Sequence, residues 1–221
     1  MVQILYEVTT QKDSHSERAA ALGTFIGAAK WDEIGGSAVR RGIHTLIFWG
    51  HGTVFGLCGK NADAIVEIIK SWKALNPDLK TVEVITCNSR HGTSDALPFI
   101  GKIKAGMRRG IRSSTHDVKL KSLPVNVNGA LGGFSILLAE ASTKTWCYIT
   151  SSGDKDTTMM YARNEMDRRA SDAKKAGTPV DLATLAEEVI KVTGRKDPDD
   201  KYFTMNYGYF NTLRDSLSLV H

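Results

Sequence analysis

The chain has 221 residues, 42% hydrophobic and 24% charged, with five prolines and a formal net charge of +5. That length and balance predict one globular domain with a layered core, and they exclude a disordered or low-complexity chain. No apolar run is long enough to cross a bilayer, "MVQILYEVTTQKDSHSERAA" lacks the pattern of a secretory leader, and the cysteines are odd in number, so the expectation is a leaderless protein without a membrane span, cytoplasmic or secreted as an effector.

Residues 2 to 8, VQILYEV, are rich in β-branched and aromatic side chains and read as a strand. The stretch SHSERAAALGTFIGAAK (14 to 30) predicts a helix capped by Ser14 or Ser16. GIHTLIFWG (42 to 50) is a near-continuous apolar run, the pattern of a strand covered on both faces. In NADAIVEIIKSWKALNP the side chains of Ile65, Ile68, Ile69, Trp72 and Leu75 form one stripe at helical spacing, between Asn61 as cap and Asn76-Pro77 as stop.

TVEVITC (81 to 87) is the next strand. TSDALPFIGKIKAGMRRG then predicts a helix capped at Ser94, with Pro98 in its first turns, Leu97, Ile100 and Met107 inward, and Gly110 at its end. Alternating strands and helices imply a parallel sheet with crossover helices. After residue 111 the strands shorten: VKLKSLPVNV, then FSILLAEA and TWCYITS joined as a hairpin by STK. TTMMYARNEMDRRASDAKKAG and DLATLAEEVIKVTG read as helices, the second between Asp181 and Gly194, followed by an aromatic tail, KYFTMNYGYF. Residues 1 to 221 are therefore expected to form a single domain, with 1 to 150 an α/β core and hairpin and 151 to 221 a helical extension.

The positive charge is local. GKIKAGMRRGIRSSTHDVKLK (101 to 121) carries seven cations, Lys102, Lys104, Arg108, Arg109, Arg112, Lys119 and Lys121, against Asp117. The commoner reading of such a run is a solvated helix end and strand edge, and the sharper one an anion-binding face. The absence of interleaved aromatics argues against nucleic acid.

His51 directly follows one apolar strand and Cys87 ends the next. In an open parallel sheet, ligands and chemistry gather outside the carboxyl ends of the strands, so both residues are expected at one edge. A thiol beside an imidazole is a nucleophile with its base. Gly52, without a side chain, lets its backbone N–H approach a substrate carbonyl and form an oxyanion hole with the N–H of Cys87. A buried, inert cysteine and a simple Gly-His-Gly turn are the bland alternatives. His91 is either part of the cleft or, as is commoner for a loop histidine, exposed; Cys58 and Cys147 are expected to pack as small hydrophobes, and Met159, Met160 and Met166 to line the core. Asp154 and Asp156 fall in a loop where a specificity pocket is conceivable. No Cys/His pair has zinc-ligand spacing, so no metal is expected.

"FWGHG" and "VITCNS" resemble the caspase-like (clan CD) cysteine peptidases, and within them the self-cleaving domains of bacterial toxins, over residues 42 to 92 by motif and 2 to 150 by element order. The resemblance implies a caspase-like three-layer sandwich and a cysteine endopeptidase, autoprocessing or effector-like, acting on a protein or peptide substrate. Cys87 would be the nucleophile, His51 the general acid and base, and the N–H groups of Gly52 and Cys87 the oxyanion donors, with no cofactor needed for the chemistry. It also implies activation by a polyanion such as an inositol phosphate on the basic cluster, or by calcium. Thr86 stands where the toxin domains usually have Gly, and CNSRHG is not the caspase pentapeptide. The alternative is a noncatalytic module of the same fold that binds an acidic partner or polyanion through the basic face.

Overall fold

The structure, a computed structural model, describes residues 1 to 221 except 9–14, 37–38, 93–96, 110–112, 125–133, 152–156 and 194–202. Ser14, Ser94, Gly110, Arg112, Asp154, Asp156 and Gly194 lie outside the described residues.

The apolar runs become the central strands of a six-stranded sheet ordered β2-β1-β3-β4-β5-β9. Its parallel strands are β1 (Val2–Tyr6), β2 (Lys30–Glu33), β3 (Thr45–Trp49), β4 (Thr81–Ile85) and β5 (Lys119–Ser122), and β9 (Ser218–Leu219) closes the edge antiparallel to β5. β3 is buried at every position, as its unbroken apolar sequence predicts for a strand covered on both faces. β2 escaped the sequence reading, because KWDE is polar and sits at a sheet edge.

One face of the sheet is covered by α2 (Ala62–Leu75) and α3 (Phe99–Arg108), packed on Leu46, Phe48, Val82, Val84 and Leu120. The Asn61 side chain caps α2 by accepting from the Ala64 N–H, and Ile65, Ile69 and Trp72 are buried. Full burial of such side chains stabilises by about 1.5–3 kcal/mol each. Leu75, expected inward, is 44% exposed because it lies in the last turn, beyond the sheet. In α3 the helix starts after Pro98 rather than before it, and Leu97 is 61% exposed instead of inward. The cause is steric: the proline ring drives the preceding residue out of helical backbone.

The opposite face meets α1 (His15–Ile26), α6 (Phe210–Leu213) and a second, antiparallel sheet of β6 (Phe134–Glu140), β7 (Thr145–Ser151) and β8 (Phe203–Tyr209). β6 and β7 pair as the expected hairpin. β7 is buried throughout: Trp146 and Tyr148 face the main sheet, while Cys147 and Ile149 face a third cluster under α4 (Thr157–Lys175) and α5 (Leu182–Thr193). The tail read as helical extension is thus partly strand. Phe203, Met205 and Tyr207 alternate toward that third cluster, and β9 joins the main sheet. The expected mostly parallel sheet flanked by helices is present.

Candidate functional site

β3 and β4 run in register, with Trp49 opposite Ile85, so His51 and Cys87 each stand two residues past a matched pair at the carboxyl edge of the sheet. Thr86 ties the two strand ends together by donating from Oγ1 to the Gly50 carbonyl at 2.8 Å. Gly52 lies so close to β4 that a Cβ there would collide with the Thr86 hydroxyl and the Cys87 carbonyl. Close approach of two backbones accounts for a glycine at 52 without an oxyanion hole.

From this shared edge the two side chains engage different partners. The imidazole of His51 meets that of His15 edge to face, with centroids 4.7 Å apart, and its backbone N–H donates to Glu7 Oε2 at 2.6 Å. The Sγ of Cys87 accepts the Leu137 backbone N–H at 3.2 Å, from the free edge of β6. Burial pushes the Cys87 thiol above its ordinary range, offset only in part by the N–H groups of Leu137 and Cys87 and the charges of Arg163 and Arg18.

Residues that sequence reasoning passed over hold this edge together. Asn88 takes a left-handed backbone (φ 54), its Oδ1 accepts the Ser135 N–H at 2.6 Å, and its Nδ2 donates to the Gly52 carbonyl at 3.4 Å. Arg90 donates to Ser122 Oγ and to the Ser218 and Leu219 carbonyls, clamping the loop after β4 to β5 and β9. His91 is not exposed as expected but fully buried, hydrogen-bonded to the Ser135 hydroxyl. Short polar side chains just after an apolar strand were the only sequence signal, and they pointed equally to a plain turn.

No family model matches the chain, and no curated protein matches it. Among solved structures it is similar to the crystal structure of pyridoxal kinase from Entamoeba histolytica, at 9% identity over 99% of each chain with a TM-score of 0.30, too low to carry fold or function across. The comparisons return no caspase-like peptidase, and the assignment drawn from "FWGHG" and "VITCNS" is corrected: the chain is not placed in that family. The expected cysteine peptidase is withdrawn with it.

Cys58 and Cys147 are buried as small hydrophobes; burial pushes Cys147 up to about 12 and raises Cys58 further, with Glu7 adding to the effect on Cys58. Met159 and Met166 are core residues, whereas Met160 is 39% exposed.

The seven-residue basic cluster does not form one face. Lys102, Lys104, Arg108 and Arg109 belong to α3 and its C-cap, on the sheet face that buries Leu120. Lys119 and Lys121 flank Leu120 on β5, and strand alternation sends them to the opposite face. Sequence adjacency made one patch of residues that the sheet divides. Among the described residues, no helix is long and apolar enough to cross a membrane.

Proposed function

We propose that the chain works as a noncatalytic binding module that docks an acidic protein segment beside α3. The observation that carries this reading is uncompensated charge. No described carboxylate stands within ion-pair distance of Lys102, Lys104, Arg108 or Arg109. The Lys104 amine is pushed down first by partial burial and then by the neighbouring Arg108 charge.

The groove beside this helix fits a peptide better than a bare polyanion. It encloses about 380 Å3 and is lined by Phe55, Leu97 and Phe99 together with Lys102 and Arg109, with Asp63 at the start of α2. Phe55 is 70% exposed and Leu97 61%. Two large apolar side chains left in water beside cations match a segment that brings carboxylates together with an aliphatic or aromatic anchor. An inositol phosphate would use the cations and leave both apolar side chains wet, and one exposed phenyl ring is no track for stacked bases.

The test is fluorescence anisotropy with Glu/Asp-rich peptides that do or do not carry a central Leu or Phe. Binding is expected only with the anchored peptides, weakening as salt rises because the charges are solvent-exposed. Lys102→Glu, Arg109→Glu and Phe55→Ala should each weaken it by roughly tenfold, a 1.4 kcal/mol effect, while Cys87→Ala and the opposite-face Lys119→Glu should not. Binding of inositol hexakisphosphate or RNA but of no peptide overturns the reading, as does an equal loss in Lys119→Glu.

A further inference from the structure

The carboxyl edge of the sheet gathers a second set of groups, independent of the α3 groove. Glu7 follows β1, His51 follows β3, and His15 opens α1, and one ligand-capable atom from each lies within 4.8 Å of the others. β1 and β3 are neighbours in register, with Tyr6 opposite Trp49, and the Glu7 N–H donates to the Trp49 carbonyl at 3.0 Å, so the first two groups are fixed by the sheet itself. His15 comes across the same edge from the buried start of the helix.

We propose that Glu7, His15 and His51 form a binding site for a divalent transition cation of the zinc class. Two imidazoles and one carboxylate are the donor set that borderline divalent ions select, and three protein ligands leave room for water or a bound molecule on the exposed His51 side. A tetrahedral ion with ligands near 2.1 Å separates its donor atoms by roughly 3.4 Å, and the three donor atoms here already lie within 4.8 Å of one another, with Glu7 half-buried and His51 exposed.

Two features argue that the carboxylate is placed rather than incidental. Glu7 is held through one oxygen by the His51 backbone N–H at 2.6 Å, which orients it while leaving its other oxygen for coordination. A Cβ at position 50 would stand 2.6 Å from both the Cys58 Sγ and the Glu7 Cβ, and 2.9 Å from Glu7 Oε2, so Gly50 is what allows Glu7 to fold over the strand end. The Cys58 thiol, which lies against Gly50, is not part of the converging set. The glycine-flanked His51 is then explained by coordination rather than by base catalysis.

The experiment is titration of the metal-stripped full chain with Zn2+ by calorimetry, and with Co2+ by visible absorption. One equivalent is expected per chain. His51→Ala and Glu7→Gln, both at accessible positions, should each lower affinity by about tenfold or more, with circular dichroism confirming that the fold is retained, and Cys58→Ser and Cys87→Ser should leave it unchanged. X-ray absorption of the zinc-loaded protein should show a nitrogen and oxygen shell with imidazole scattering. Substoichiometric uptake, uptake untouched by both Glu7→Gln and His51→Ala, or sulfur in the metal shell overturns the proposal.

Discussion

The Sγ of Cys87 accepts a hydrogen bond from the Leu137 N–H at 3.2 Å, fastening the end of β4 to the free edge of β6. That contact and the surrounding burial fix the chemistry of the residue. A thiol with a raised pKa holds less thiolate at neutral pH than a free thiol does, and only the thiolate attacks an alkylating agent. Cys87 should therefore react with iodoacetamide more slowly than free cysteine at pH 7, with the rate climbing as pH rises past the ordinary thiol range. Peptide mass spectrometry of the labelled protein reads this directly, and rapid labelling at mildly acidic pH contradicts it.

Asn88 joins three segments that are far apart in sequence, through the Ser135 N–H and the Gly52 carbonyl. Its left-handed backbone suits asparagine or glycine better than other residues. Asn88→Ala leaves the buried Ser135 N–H without its acceptor and keeps the strained φ, and the expected loss is about 1–3 kcal/mol. Chemical denaturation measures it; a change below about 0.5 kcal/mol, the usual size of a neutral surface substitution, shows the link to be dispensable.

Glu83 is buried in β4 and receives two bonds from Arg214, Nε at 2.7 Å and Nη2 at 2.8 Å. The guanidinium is itself partly open to solvent, with 31% of its side chain exposed. Arg214→Ala leaves a buried carboxylate unpaired, which costs about 3 kcal/mol, the low end of the range for buried pairs because of that exposure. Glu83→Gln combined with Arg214→Ala should recover part of the loss. If the single and double variants unfold at the same denaturant concentration, the pair is not what stabilises this strand.

Lys73 is buried in the last turn of α2, and its Nζ donates to the Pro77 and Leu79 carbonyls and to Asp117 Oδ2 at 3.0 Å. The hydrogen bond from Lys73 is the main cause holding the Asp117 carboxyl below its usual range. A depressed folded pKa contributes stability that is fully present above the unfolded value, about 3.9, and is lost as pH falls through the folded one. Melting curves of wild type and Asp117→Asn should differ at pH 6, and the gap should narrow as pH falls below about 4 through the depressed value. A gap that stays constant as pH falls from about 4 to about 2 would exclude the linkage.

The elements whose physics is local were legible in the chain. β3 was recognisable because an unbroken apolar run has no other comfortable place than a covered strand, and α2 because Asn61, the Ile65, Ile69 and Trp72 stripe and Asn76 state its start, face and stop. The order of strand and helix also foretold that His51 and Cys87 would reach one edge, since parallel strands present like ends together. The start of α3 is not legible from periodicity alone, because Leu97 continues the apolar stripe while Pro98 excludes helical backbone at that residue.

What the side chains do at that edge was decided by tertiary structure. That Cys87 meets the N–H of Leu137 depends on where the second sheet packs, 50 residues later in the chain. The convergence of Glu7, His15 and His51 likewise needs β1 and β3 to be neighbours, a pairing that no spacing in the sequence records. The basic run looked continuous because seven cations share twenty-one residues, yet alternation on β5 sends Lys119 and Lys121 through the sheet to the side away from α3. Periodicity and capping are short-range and survive in a linear string; burial, desolvation and the pairing of distant polar groups exist only once the chain has folded.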